Sequence, residues 1–215
     1  MQPIDVAIAT GDVELPGILT LPNAVTGIVV FAHGSGSSRL SIRNQRVAQV
    51  LNQAGLGTLL FDLLTPEEYE RDLETTKFRF DFGLLAHRLI GVVDWLTLHS
   101  RTKTLAIGLF GASTGAAAAL RAAAELESQI SAVVSRGGRP DLAGSDALSR
   151  VESPTLLLVG GLDDVVIDIN RHAASQLHCH KELVIIPSAT HLFEEPGTLE
   201  EVERLSAQWF ARYLK

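Results

Sequence analysis

Cysteine is nearly absent: Cys179 is the only one in 215 residues. No disulfide can close within the chain, and a reducing compartment is the simplest setting. The opening residues, Met1-Gln2-Pro3-Ile4-Asp5, lack a basic segment followed by an apolar one, so no signal peptide is expected. No apolar run reaches the length of a membrane span. Basic residues are in deficit, 18 Lys and Arg against 25 Asp and Glu, for a net charge of −7. That balance argues against nucleic acid, whose binders need a basic face. There is no repeat, no low-complexity tract and no Pro/Gly/Ser linker to divide the chain. A cytoplasmic protein is expected, with residues 1–215 forming one domain and with neither nucleic acid nor membrane as a partner.

What remains is core-forming material. Hydrophobic residues make up 46% of the chain and charged ones 20%, enough for a sizeable interior. Val6–Ala9 and Val13–Thr20 predict two strands joined in a hairpin at Thr10-Gly11-Asp12. Gly27–Ala32, Gly57–Phe61, Thr104–Phe110, Ala132–Ser135, Thr155–Gly160 and Leu183–Ile186 predict six more. Helical periodicity marks Ser41 to Ala54, Asp81 to Leu98, Ser113 to about Glu127, and Thr198 to Leu214. Thr65 to Lys77 is polar and weakly patterned, a surface loop or a short helix. Strands that are apolar throughout are covered by helices on both faces. Alternating β and α segments predict an α/β fold, a mostly parallel doubly wound sheet with an N-terminal antiparallel hairpin. Ligands of such sheets bind beyond the carboxyl ends of the strands.

One segment at that edge carries chemistry. Gly111-Ala112-Ser113-Thr114-Gly115 is G-x-S-x-G, entered from a buried strand and left by a helix. That context is the one a nucleophile elbow needs; the plainer reading is a tight turn with a capping serine. A serine hydroxyl needs a base. Of seven histidines, His191 is best placed, between the last strand and the last helix. His33 opens a glycine-rich loop, and His87 and His99 fall away from the rim. His178-Cys179-His180 lacks the spacing and the further ligands of a metal site, so no metal or other cofactor is expected. The histidine needs a carboxylate behind it, and Asp163 and Asp164 both follow a buried strand. Asp62 is a rival whose plainer role is to cap the following turn. The order serine, acid, histidine is that of α/β-hydrolases. Two amides must hold an oxyanion: Thr114 supplies one, and Ser35 supplies the other, with Gly36 as the alternative.

With these pieces in place the chain resembles an α/β-hydrolase of the dienelactone-hydrolase-like family. The resemblance rests on "FAHGSG", "GASTG", "GLDDVV" and "SATHLF" and runs from the hairpin to the final helix. It implies a single α/β-hydrolase domain with a Ser113, Asp163, His191 triad, Asp163 being the acid of the family's G-x-x-D-x-x-V element. Little sequence is left for a large lid, Pro66 to Lys77 being the best candidate for a cover, so a small, fairly open pocket and a small or flexible acyl substrate are expected. Two departures stand out. Dienelactone hydrolase carries cysteine where this chain has Ser113, and an arginine where it has Glu195, so an anionic lactone is disfavoured. Gly36, Arg136 and Arg139 are candidate substrate contacts, the arginines for a carboxylate or phosphate. Ion pairing with Asp141 or another nearby carboxylate is the plainer role for the arginines. The expected activity is serine-dependent hydrolysis of a small ester, lactone or thioester. An acyltransferase or a non-catalytic binding module is the alternative.

Overall fold

The computed structural model describes residues 2–215. Eight strands form one sheet: β1 (Ile4–Thr10), β2 (Val13–Thr20), β3 (Gly27–Ala32), β4 (Gly57–Phe61), β5 (Ala106–Ala112), β6 (Ile130–Arg136), β7 (Thr155–Gly160) and β8 (Lys181–Ile186). Their order is β1-β2-β4-β3-β5-β6-β7-β8. The pairs β1/β2 and β2/β4 are antiparallel; all others are parallel. The predicted hairpin is therefore the antiparallel edge of a parallel sheet. The chain is a single-domain α/β fold of this doubly wound kind.

Seven helices are described: α1 (Ile42–Gln53), α2 (Pro66–Thr75), α3 (Phe82–Leu98), α4 (Gly115–Leu126), α5 (Ser145–Arg150), α6 (Asp164–Gln176) and α7 (Thr198–Tyr213). Alternation along each strand sends side chains to opposite faces. Val30 and Leu109 join the core under α3 and α4, whereas Phe31 and Phe110 join the one under α1 and α7. Alanines fill α4 from Ala116 to Ala119 and from Ala122 to Ala124, all within 1% of full burial. Their small side chains let that helix lie close against the strands while avoiding large rotamer losses.

Several boundaries differ from the sequence reading. β5 runs on to Ala112, because Gly111 pairs with Ala32 and Ala112 with Arg136. α4 then begins at Gly115, two residues later than predicted. The polar stretch at 65–77 holds helix α2, closed at its start by a capping box. Thr65 Oγ1 accepts from the Glu68 amide, and the Glu68 carboxylate accepts from the Thr65 amide. Its weak apolar pattern has a physical cause: among its residues only Asp72 is buried. The short helix α5 was not anticipated; six residues span too few turns for periodicity to register.

Candidate active site

Ser113 sits in the turn between β5 and α4 with φ +51°. A serine gains nothing from that left-handed conformation, which costs roughly 1–3 kcal/mol and is held only by its surroundings. Here its amide donates to Arg136 O at 3.0 Å, and its carbonyl accepts from the Arg139 amide at 3.0 Å. The flanking glycines are required by contact distance. A Cβ on Gly111 would lie 2.4 Å from Ala116 Cα, and one on Gly115 only 2.3 Å from Ala32 O. The turn can therefore be this tight only because neither position bears a side chain.

The hydroxyl meets a histidine from 78 residues downstream. Ser113 Oγ lies 3.1 Å from His191 Nε2. His191 Nδ1 lies 2.7 Å from Asp163 Oδ2. With Nδ1 donating to the carboxylate, Nε2 is left as the lone-pair nitrogen facing the hydroxyl. The two loops that bring this pair together are tied by a backbone bond, the Leu162 amide donating to Ala189 O at 2.9 Å, and the Asp163 amide closes its own turn on Gly160 O at 3.1 Å. Asp164, by contrast, starts α6 and is exposed. Ser113, His191 and Asp163 thus converge, and Asp164 does not.

Thr114 and Ser35 also meet. The Ser35 amide donates to Thr114 Oγ1 at 2.7 Å. In this structure the candidate oxyanion donor Ser35 is thus occupied by a side-chain acceptor, a contact that motif spacing had no means of revealing. The Thr114 amide belongs to the first turn of α4, where backbone N–H groups have no partner within their own helix. His33 holds this loop by hydrogen bonds. Its Nδ1 lies 2.9 Å from Gly34 O, and its Nε2 accepts from the Leu63 amide at 3.1 Å. Burial holds the His33 pKa below its ordinary value, against the smaller upward pull of its bond to Gly34 O and of the Asp62 charge.

Other sequence candidates lie in different settings. Arg139 grips Asp141 through two bonds of 2.9 and 2.7 Å, the plainer of its two expected roles. Arg136 is buried, and its Nη1 has no acceptor among the described residues. Burial, and then the neighbouring charge of Arg43, push its pKa down to about 10. Gly36 has φ +70° and follows Ser35 in the loop that borders the cavity. Asp62 does not cap the next turn, since Thr65 does that. Its carboxylate instead accepts from the Arg39 amide at 2.6 Å and pairs with the Arg39 guanidinium. Glu195 accepts from the Thr190 hydroxyl at 2.6 Å and the Thr190 amide at 3.0 Å, which holds its pKa below the usual range. It braces the turn that presents His191. His180 stacks on Trp209 with ring centroids 5.7 Å apart. Among the described residues no three His, Cys, Asp or Glu side chains converge as metal ligands. No helix there is long and apolar enough to cross a membrane.

A cavity of about 450 Å³ opens beside Ser35 and Thr114 and runs under α2. It falls within the size range of small-molecule sites. Two of its charged residues, Asp72 and Arg79, were not singled out by the sequence reading. They pair through Arg79 Nε, and Asp72 also accepts from the Phe78 and Arg79 amides at 2.7 and 3.1 Å. The acidic and basic positions alone, seven residues apart, give no signal of this pairing.

The fold has close counterparts. The chain superposes on dienelactone hydrolase from Anabaena variabilis ATCC 29413 with a TM-score of 0.98 and 59% identity, covering 100% of this chain and 99% of that one. This chain belongs to the dienelactone-hydrolase family of α/β-hydrolases. An esterase from Pyrococcus furiosus matches with a TM-score of 0.82 at 20% identity, over 100% of this chain and 92% of that one, a likeness of fold. Two Mycobacterium tuberculosis proteins, of strains CDC 1551 / Oshkosh and H37Rv, bear the name "Putative phosphoribosyl transferase". They are 56% identical over 210 residues, 98% of this chain. The dienelactone-hydrolase-family chain spans only 46% of their length. No protein-family model matches it.

Proposed function

We propose that the chain is a serine hydrolase cleaving a small carboxylic ester, lactone or thioester. The observation that carries this reading is the line from Ser113 Oγ to His191 Nε2 at 3.1 Å and from His191 Nδ1 to Asp163 at 2.7 Å. Ser113 attacks the carbonyl as His191 takes its proton. His191 then protonates the leaving alcohol or thiol, and water, activated by the same ring, releases the acid from the acyl-enzyme. Asp163 keeps the ring in the tautomer that presents a bare Nε2 and stabilises its charge once protonated. Membership of a family that includes the Anabaena dienelactone hydrolase supports the reading.

The Thr114 and Ser35 amides are the proposed oxyanion donors, Gly36 being the neighbouring position on the same loop. For Ser35 to serve, the Thr114 hydroxyl must release its amide to the oxyanion, consistent with resting sites that reach full geometry only around substrate. Arg139 is given no substrate role, because Asp141 already fills its fork. Arg136 is assigned none either. The name of the longer Mycobacterium proteins is not carried over to this chain. The test is turnover of short 4-nitrophenyl esters by the wild type and by Ser113→Ala. A fall of at least about 1,000-fold in kcat is expected for a lost nucleophile. Unchanged turnover in the variant would reject Ser113.

A further inference from the structure

We infer that the cavity under α2 is the acyl pocket of this site and that it selects an uncharged, apolar acyl group. The inference rests on the hydrolase reading and adds the substrate class. Its direction follows from proton transfer. The leaving oxygen must reach His191 Nε2 to be protonated, so the leaving group lies on the His191 side. The cavity is on the other side: it borders Ser35 and Thr114 but neither His191 nor Asp163. The part of the substrate that extends there, past the oxyanion donors, is the acyl chain.

The lining sets the selectivity. Pro16, Leu63, Leu64, Leu85 and the ring of Tyr69 supply apolar walls. Two cations border the space, and neither is free: Arg39 is paired with Asp62, and Arg79 with Asp72. Glu70, exposed at the edge, adds a carboxylate with no ion-pair partner among the described residues. The cavity therefore holds one more carboxylate than cations. His33, whose pKa burial lowers, brings no positive charge near neutral pH. A carboxylate entering this space would be desolvated without gaining a cation, which is strongly unfavourable. A methyl group in the same place gains burial instead.

The experiment compares 4-nitrophenyl hexanoate with mono-4-nitrophenyl adipate, which replaces the terminal methyl with a carboxylate. Wild-type kcat/KM is expected to favour hexanoate by on the order of 100-fold, as a desolvated charge requires. Tyr69→Arg places an unpaired cation on a half-exposed lining position and is expected to narrow that ratio at least about tenfold. Equal rates, a preference for adipate, or a ratio unmoved by Tyr69→Arg would overturn the pocket assignment. If neither ester turns over, the hydrolase reading fails, and the pocket is then judged by binding alone. Hexanamide should shift the methyl NMR signals of Leu63, Leu64 and Leu85, and adipamate should not. Shifts by both or by neither would overturn it.

Discussion

The Asp163 carboxylate lies 2.7 Å from Nδ1 of His191, while its neighbour Asp164 is exposed at the start of α6. Two adjacent aspartates are thereby separated by geometry into one that orients the ring and one that faces solvent. Asp163→Asn is expected to lower kcat by about 1,000-fold or more, since an amide stabilises the wrong tautomer. Asp164→Asn should leave kcat within a few-fold. Steady-state kinetics on a 4-nitrophenyl ester decide it, and the reverse ranking would move the acid to Asp164.

Gly115 is expected to be intolerant of any side chain. The missing Cβ would lie 2.3 Å from Ala32 O and 2.5 Å from His33 O, both backbone atoms that cannot swing aside. Gly115→Ala should cost about 3 kcal/mol, a large overpacking penalty. In a chain of this size that lowers Tm by roughly 6–12 °C. Differential scanning fluorimetry reads the shift, and an unchanged Tm would show that the elbow relaxes freely.

Helix α2 covers the cavity, and its start depends on one hydroxyl. Thr65→Ala removes the acceptor for the Glu68 amide and should cost about 1 kcal/mol. Because α2 lines the cavity, KM for a bound ester should rise while kcat changes less. Urea denaturation and steady-state kinetics test the two halves separately; a kcat loss at constant KM would contradict this placement.

His33 gives the site an acid sensitivity. Burial holds its folded pKa below the ordinary value. On acidification the unfolded chain takes up this proton first, so stability falls as the pH drops below about 6.5, down to the folded pKa. Between pH 7 and pH 5 the wild type should lose more stability than His33→Gln. Urea denaturation at the two pH values measures it. Parallel losses in the two proteins would show that His33 is not the group responsible.

The sequence made the sheet, the hairpin edge and the converging loops legible because each rests on local patterning: uninterrupted apolar runs, helical spacing, and glycines at a tight turn. It also offered two adjacent aspartates, with Asp62 as a rival, as the candidate acid. Local patterning alone did not separate Asp163 from Asp164; the family resemblance pointed to Asp163, and the 2.7 Å contact of Asp163 with His191 Nδ1 is a tertiary one. The Ser35–Thr114 bond spans 79 residues and the Asp62–Arg39 pair spans 23. Such contacts leave no periodic trace. Glu195 shows the same limit: its charge was visible, yet its use as a brace for Thr190 depends on the fold of the turn.

The most direct test of the account is to trap the covalent intermediate. The protein is mixed with 4-nitrophenyl hexanoate, quenched with acid within milliseconds, digested, and examined by mass spectrometry. One hexanoyl group per chain is expected, on the peptide that contains Ser113 and on the Ser113 oxygen itself. An acyl group found reproducibly on another residue, or turnover with no acylated peptide at any quench time, would contradict it.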